Sequence, residues 1–217
     1  MKHLFLALSA LSLCACTIDT EELNALVDSI SLQEEVTVEG ITCRAEGEYP
    51  SISGLSSRQI EININSYFDK FAHQIQEEIR NCKEQYASLI EEGTELSENT
   101  TVSFRVTHLD DQYLSVLLLK SKYFDGAAYP NNTIDTFVFD LSTGQPLQIE
   151  DITSTDLLPF VQEQFTKAHL GEYPSETSNP IEKFYLTDDA LVLVDLFMVH
   201  AMQGVEVEVP LAEITDQ

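Results

Sequence analysis

Apolar positions along this chain change their spacing several times, and each change marks an element. Residues 17 to 35 are acidic, hold neither Gly nor Pro, and carry Leu23, Leu26 and Ile30 at helical spacing. They read as a tether with a short helix. From Val36 the pattern becomes alternation, with Val36, Val38, Ile41 and Cys43, and then meets Tyr49-Pro50 and Gly54, which predicts a strand followed by a turn. The folded domain is expected to begin at residue 36. Ser57 stands where a helix cap is needed, since Ile60, Ile64, Tyr67, Phe68, Phe71, Ile75, Ile79, Cys82, Tyr86 and Ile90 recur every three or four residues until Gly93. That stripe is the buried face of one long helix.

Beyond it, Val102, Phe104 and Val106 alternate up to Asp110-Asp111, and Leu114 and Val116 to Leu119 follow. This predicts a hairpin between Thr101 and Phe124 whose second arm is central and buried on both faces. The loop Asp125-Gly126-Ala127-Ala128-Tyr129-Pro130-Asn131-Asn132 leads to a strand from Ile134 to Leu141, closed by the turn Ser142-Thr143-Gly144-Gln145-Pro146. Thr155 is placed to cap a shorter helix through Leu158, Val161, Phe165, Ala168 and Leu170, ending at Gly171. Strands at Lys183–Leu186 and Leu191–Leu196 flank Asp188-Asp189, and Val205, Val207 and Val209 form a last edge before Pro210. The predicted class is α+β, a mainly antiparallel sheet with one long helix and a second shorter helix packed on it.

The N-terminus reads differently from the rest. Lys2, an apolar run from Leu4 to Leu13 and small Ala15 have the layout of a secretion signal, too short to span a bilayer. Leu13-Cys14-Ala15-Cys16 resembles the lipobox of bacterial lipoproteins, which implies cleavage after residue 15 and lipid attachment to Cys16. Cys14 is the poorer acceptor because Leu13 precedes it. The expected location is the bacterial cell envelope, with membrane contact through the N-terminal lipid only. Thr17 after Cys16 resembles outer-membrane sorting, facing the periplasm.

Charge narrows the partners. With 37 acidic against 11 basic residues the formal net charge is −26, which repels nucleic acid and anionic lipid and steers basic molecules toward the surface. The same excess also serves solubility. At 43% apolar and 22% charged, with eleven Phe and eight Tyr, the composition is that of a single globular domain. Cys43 and Cys82 are the remaining cysteines, and export favours one disulfide between them. Such a bridge closes a loop of about 40 residues and is worth about 3 to 4 kcal/mol in the chain-entropy model.

Five pieces together look like a family: Tyr49-Pro50, Tyr123 to Pro130, Phe137-Val138-Phe139-Asp140-Leu141-Ser142-Thr143-Gly144, Phe184-Tyr185-Leu186-Thr187-Asp188-Asp189, and Gly204 to Pro210. In order and spacing, residues 36 to 215 resemble the extracytoplasmic domain of RsiV-type anti-sigma factors, which is similar to the N-terminal part of PdaC-type peptidoglycan deacetylases. The resemblance implies binding of lysozyme, a strongly basic protein. Two departures stand out. The family's Gly-Gly-Ala-His loop is Asp125-Gly126-Ala127-Ala128 here, and its Pro-Tyr near the last strand is Ala201-Met202. A function that needs the loop histidine does not carry over. Neither a sigma-binding segment nor a deacetylase domain is recognisable, so neither activity is expected.

Catalytic motifs are not in evidence. His3, His73, His108, His169 and His200 show no zinc spacing, and His73 and His108 read as solvated surface residues. Asp110-Asp111, Asp188-Asp189 and Glu91-Glu92 are pairs that 37 acids produce by chance, although a glycosidase needs two such groups across a sugar. No catalytic residue, metal ligand or cofactor site is expected. The reading is a binding module for a basic protein such as lysozyme, with Asp125, Tyr129 and Tyr123 as candidate contacts on a Gly-flexible loop. A peptidoglycan-related enzyme or accessory, and a structural lipoprotein without soluble ligand, are the alternatives.

Overall fold

The computed structural model describes residues 25–86, 95–167, 181–196 and 206–214. The leader, Cys16, Glu91-Glu92, His169, His200 and Ala201-Met202 lie outside the described residues.

The first correction falls on the tether. Strand β1 (Leu26–Val38) pairs antiparallel with β2 (Ile41–Ser53) over its whole length, so the folded part includes at least the ten residues before the expected boundary at 36. The spacing of Leu26 and Ile30 mimicked a helix because β1 has a strand on one side only and is mostly solvated, with Leu32 its one fully buried residue. The alternation read across 36 to 43 spans two strands, since Glu39 (φ 52°) and Gly40 (φ 86°) turn the chain between them. Both adopt the left-handed region that two-residue hairpin turns require.

Helix α1 (Arg58–Arg80) buries Ile64, Phe68, Phe71, Ala72, Ile75 and Ile79 against the sheet, the stripe that the periodicity predicts. Ser57 occupies the cap position but offers no side-chain hydrogen bond; its backbone carbonyl accepts from Ile60 and Glu61 instead. The helix ends at Asn81, and a separate turn of helix, α2 (Cys82–Tyr86), follows. Cys82 is bonded to Cys43 across a Cα–Cα distance of 6.1 Å, which staples the helix end to β2.

Strand β3 (Leu96–Leu109) returns parallel to β2 over Ile41–Gly47, and β4 (Tyr113–Phe124) and β5 (Asn131–Asp140) add antiparallel. With the short β6 (Gln145–Pro146), the order is β1-β2-β3-β4-β5-β6. Gly47 ends the parallel pairing at φ 144°, where an added Cβ would lie 1.9 Å from the Val102 carbonyl oxygen. Past it, β2 has no β3 partner, and the Asn65 amide of α1 substitutes for one. Its Oδ1 accepts from the Ile52 N–H at 2.8 Å and its Nδ2 donates to the Ile52 carbonyl at 2.9 Å.

The remaining chain forms α3 (Ile149–Ile152), α4 (Leu158–Lys167), β7 (Phe184–Leu186), β8 (Ala190–Leu193), β9 (Val207–Pro210) and α5 (Leu211–Ile214). Strands β7, β8 and β9 make a second, antiparallel sheet of three. Asp156 rather than Thr155 caps α4, accepting from the Leu158 N–H at 3.0 Å. The Phe137-Val138-Phe139 motif explains how the layers join. Phe137 and Phe139 stack on one face of β5 and meet Tyr67 and Phe68 of α1 tilted or edge-on, while Val138 points the other way, into the cluster of Val161, Phe165 and the second sheet. β5 is thus buried from both sides. No helix among the described residues is long and apolar enough to cross a membrane.

Candidate functional site

Asp125, Tyr123 and Tyr129 stand at the sheet end where β4 turns into β5, and all three are exposed. Tyr123 keeps 40% and Tyr129 46% of its surface in water, so each presents part of its ring to solvent. The backbone holds the loop in place: the Asp125 N–H donates to Ser97 and the Ala127 N–H to Phe124, each at 2.9 Å. Gly126 takes φ 88° with open space where a side chain would project. A further bond, Leu96 N–H to Gly40 at 3.0 Å, brings the β1–β2 turn into the same row. Three segments, 39–40, 95–97 and 125–130, therefore form one rim. It carries Glu39, Glu95 and Asp125 and no Lys or Arg.

Beneath the rim lies a charged network that sequence reading missed. Glu98 on β3 is only 2% exposed and receives the Tyr86 hydroxyl and, at 3.2 Å, the Lys122 ammonium. Glu78 of α1 receives Lys120 at 3.1 Å and Lys122 at 3.5 Å. A buried carboxylate is tolerable only when compensated in this way. Tyr86 also stacks on Phe124 with centroids 5.0 Å apart. Both helices are thereby tied to β3 and to β4, the strand that leads into the loop.

The two Asp-Asp turns meet at the other end of the sheet. His108, read as a solvated histidine, is 14% exposed and held between them, its Nδ1 2.9 Å from Asp188 and its Nε2 3.1 Å from Asp110. The register shift between Val106 and His108 in β3 accompanies this placement. Asp110 further accepts the Gln112 and Tyr113 amides at 2.8 and 2.7 Å. Ionised carboxylates only accept, so an imidazole facing one on each side satisfies both by donating twice, which favours its protonated form. Burial alone would lower its pKa, but the bonds to Asp188 and Asp110 outweigh that and raise it. Asp110 moves down, since its amide donors and His108 outweigh the opposing effect of burial. With both nitrogens engaged, His108 is a clasp between the sheets rather than an accessible base. Nearby, Arg105 of β3 lies 5.5 Å over the Tyr185 ring, whose hydroxyl lies 3.3 Å from Glu206. Among the described residues no group of His, Cys, Asp and Glu is arranged to hold a metal ion.

The basic side chains are mostly committed internally. Arg44 pairs with Glu35 (2.7 Å), Arg80 with Glu34 (3.0 Å), Lys167 with Glu163 (2.8 Å) and Lys183 with Asp195 (2.7 Å), beside the lysines already described. Arg58 and Lys70 enter no such pair among the described residues. Because acids outnumber bases more than threefold, the unpaired charge at the surface is overwhelmingly negative.

This architecture is shared with solved structures of one kind. A member of the DUF3298 family from Bacteroides fragilis superimposes with a TM-score of 0.64 at 17% identity, covering 88% of this chain and 92% of that one. A DUF3298 family protein from Pseudomonas aeruginosa gives 0.52 at 9% identity, covering 85% and 90%. At these identities the likeness is one of fold. No family model matches the sequence, and no curated protein matches it.

Proposed function

We propose that this chain is a non-catalytic binding module of the bacterial envelope, lipid-anchored through Cys16, that captures a basic protein; the resemblance to RsiV-type domains singles out lysozyme. The observation that carries the reading is the charge arrangement. Most described cations are neutralised by the chain's own carboxylates, and among the described residues Glu95 and Asp125 on the rim pair with no Lys or Arg, so they offer negative charge to a partner's cations. Tyr123 and Tyr129 add apolar area with a polar tip, the kind of side chain that anchors interfaces.

The test is inhibition of lysozyme's cell-wall lysis by the purified protein at about 0.15 M salt, where loose attraction between exposed charges is screened. Stoichiometric inhibition is expected. Replacing Asp125 and Tyr129 together by Ala should weaken binding by about 2 kcal/mol or more without lowering the melting temperature. Unchanged affinity in that variant would exclude the loop, and absence of inhibition would exclude lysozyme.

A further inference from the structure

We propose that β1 is an acceptor strand, whose free edge takes up an extended cationic segment of a partner protein as a seventh strand of the large sheet. The proposal rests on the basic-partner reading above and adds the surface and the mode of recognition.

β1 is the outermost strand of its sheet, paired with β2 alone. Half of its backbone N–H and C=O groups point away from β2, and among the described residues nothing pairs with them. Proteins blunt such edges with short strands, Pro, Lys or a bulge. β1 uses none of these: it is 13 residues long, holds no Pro, Lys or Arg, and keeps an unbroken register from Leu26↔Ser53 to Val38↔Ile41. Its first half is also the least supported part of the sheet. β3 backs β2 only as far as Gly47, so Leu26 to Ser31 belong to a two-stranded ribbon. Leu26 (63% exposed) and Ile30 (37% exposed) remain in water there. Helix α1 supports this ribbon from the β2 side, through Asn65 and the packing of Ile52, so what a third strand would add is backbone bonds along the free edge and cover for both residues.

The charge along the edge selects the occupant. β1 contributes Asp28, Glu34 and Glu35 and no base, and β2 adds exposed Glu46 and Glu48 beside it. Glu34 and Glu35 are compensated by Arg80 and Arg44, whereas Asp28, Glu46 and Glu48 have no basic partner among the described residues. A second copy would bring another −26 against this edge. A strand carrying Lys or Arg would be drawn to it.

Hydrogen exchange on the full chain tests this, with lysozyme and a short peptide of alternating Lys and Val as probes. The outward amides of residues 26–38 should slow at least about tenfold with either probe. Ser31→Lys, which adds a like charge at an exposed edge position, should weaken binding about tenfold relative to Thr101→Lys, an equal charge change on an inner strand. If lysozyme binds and protects residues 123–129 while β1 exchanges as before and the peptide does not bind, strand addition is overturned and the binding-module reading stands. If neither probe binds, both fall. A dimer in the protein alone, with β1 already protected, makes a second copy the occupant and overturns the proposal.

Discussion

His108 shows how much one side chain can join. It lies on β3 of the large sheet, yet its Nδ1 bond runs to Asp188 in the turn between β7 and β8. Because its pKa is raised above 6.5 in the fold, the stability it provides is fully present below about 6.5 and is lost as pH rises through the raised value. Asp110, held below 3.8, has the opposite dependence, and its contribution is lost as pH falls through the depressed value. The clasp is therefore firmest between the two. His108→Gln should cost about 1 to 3 kcal/mol near pH 5.5 and less near pH 8, measured as urea midpoints across that range. A pH-independent loss would rule out the cationic clasp. The sequence could show Asp110-Asp111 and Asp188-Asp189 as turns, which they are. Nothing in their spacing could show that the second sheet folds over to set them beside one imidazole.

Among the elements, those with strong local signals were legible and those defined by distant partners were not. The stripe from Ile60 to Ile79 and the alternation before Asp110 identify α1 and the β3–β4 hairpin, because each carries its own periodic face. β1 was lost because a solvated edge strand with one partner has little alternation to show. The break at Asn81 was equally invisible, since Cys82 and Tyr86 continue the stripe. The candidate loop was legible as a loop, but its alignment with Gly40 and Leu96 depends on the parallel return of β3. Two changes probe how the elements are held. Removing the Cys43–Cys82 bond, by reduction or as the double Ala variant, should lower stability by about 3 to 4 kcal/mol in denaturant titration. Asn65→Ala leaves the Ile52 backbone groups without their partner and should cost about 1 to 3 kcal/mol, with faster exchange confined first to the end of β2.

For the molecule as a whole, the acidic surface acts at a distance and the rim acts on contact. Association with a basic protein should therefore slow at least about tenfold between low salt and 0.5 M, while dissociation changes little, as read by stopped flow. A salt-independent association rate would reduce the charge to a solubility device. The covalent loop also divides the fold mechanically. Residues 43 to 82 are closed by a bond, and β1 lies outside that loop on the N-terminal side. A pull applied through the N-terminus loads the β1–β2 pairing first, and when that yields, the staple between Cys43 and Cys82 keeps the strain from unravelling α1. The chain thus has a strand that can lengthen under tension and, next to it, a stapled segment from residue 43 to residue 82 that cannot.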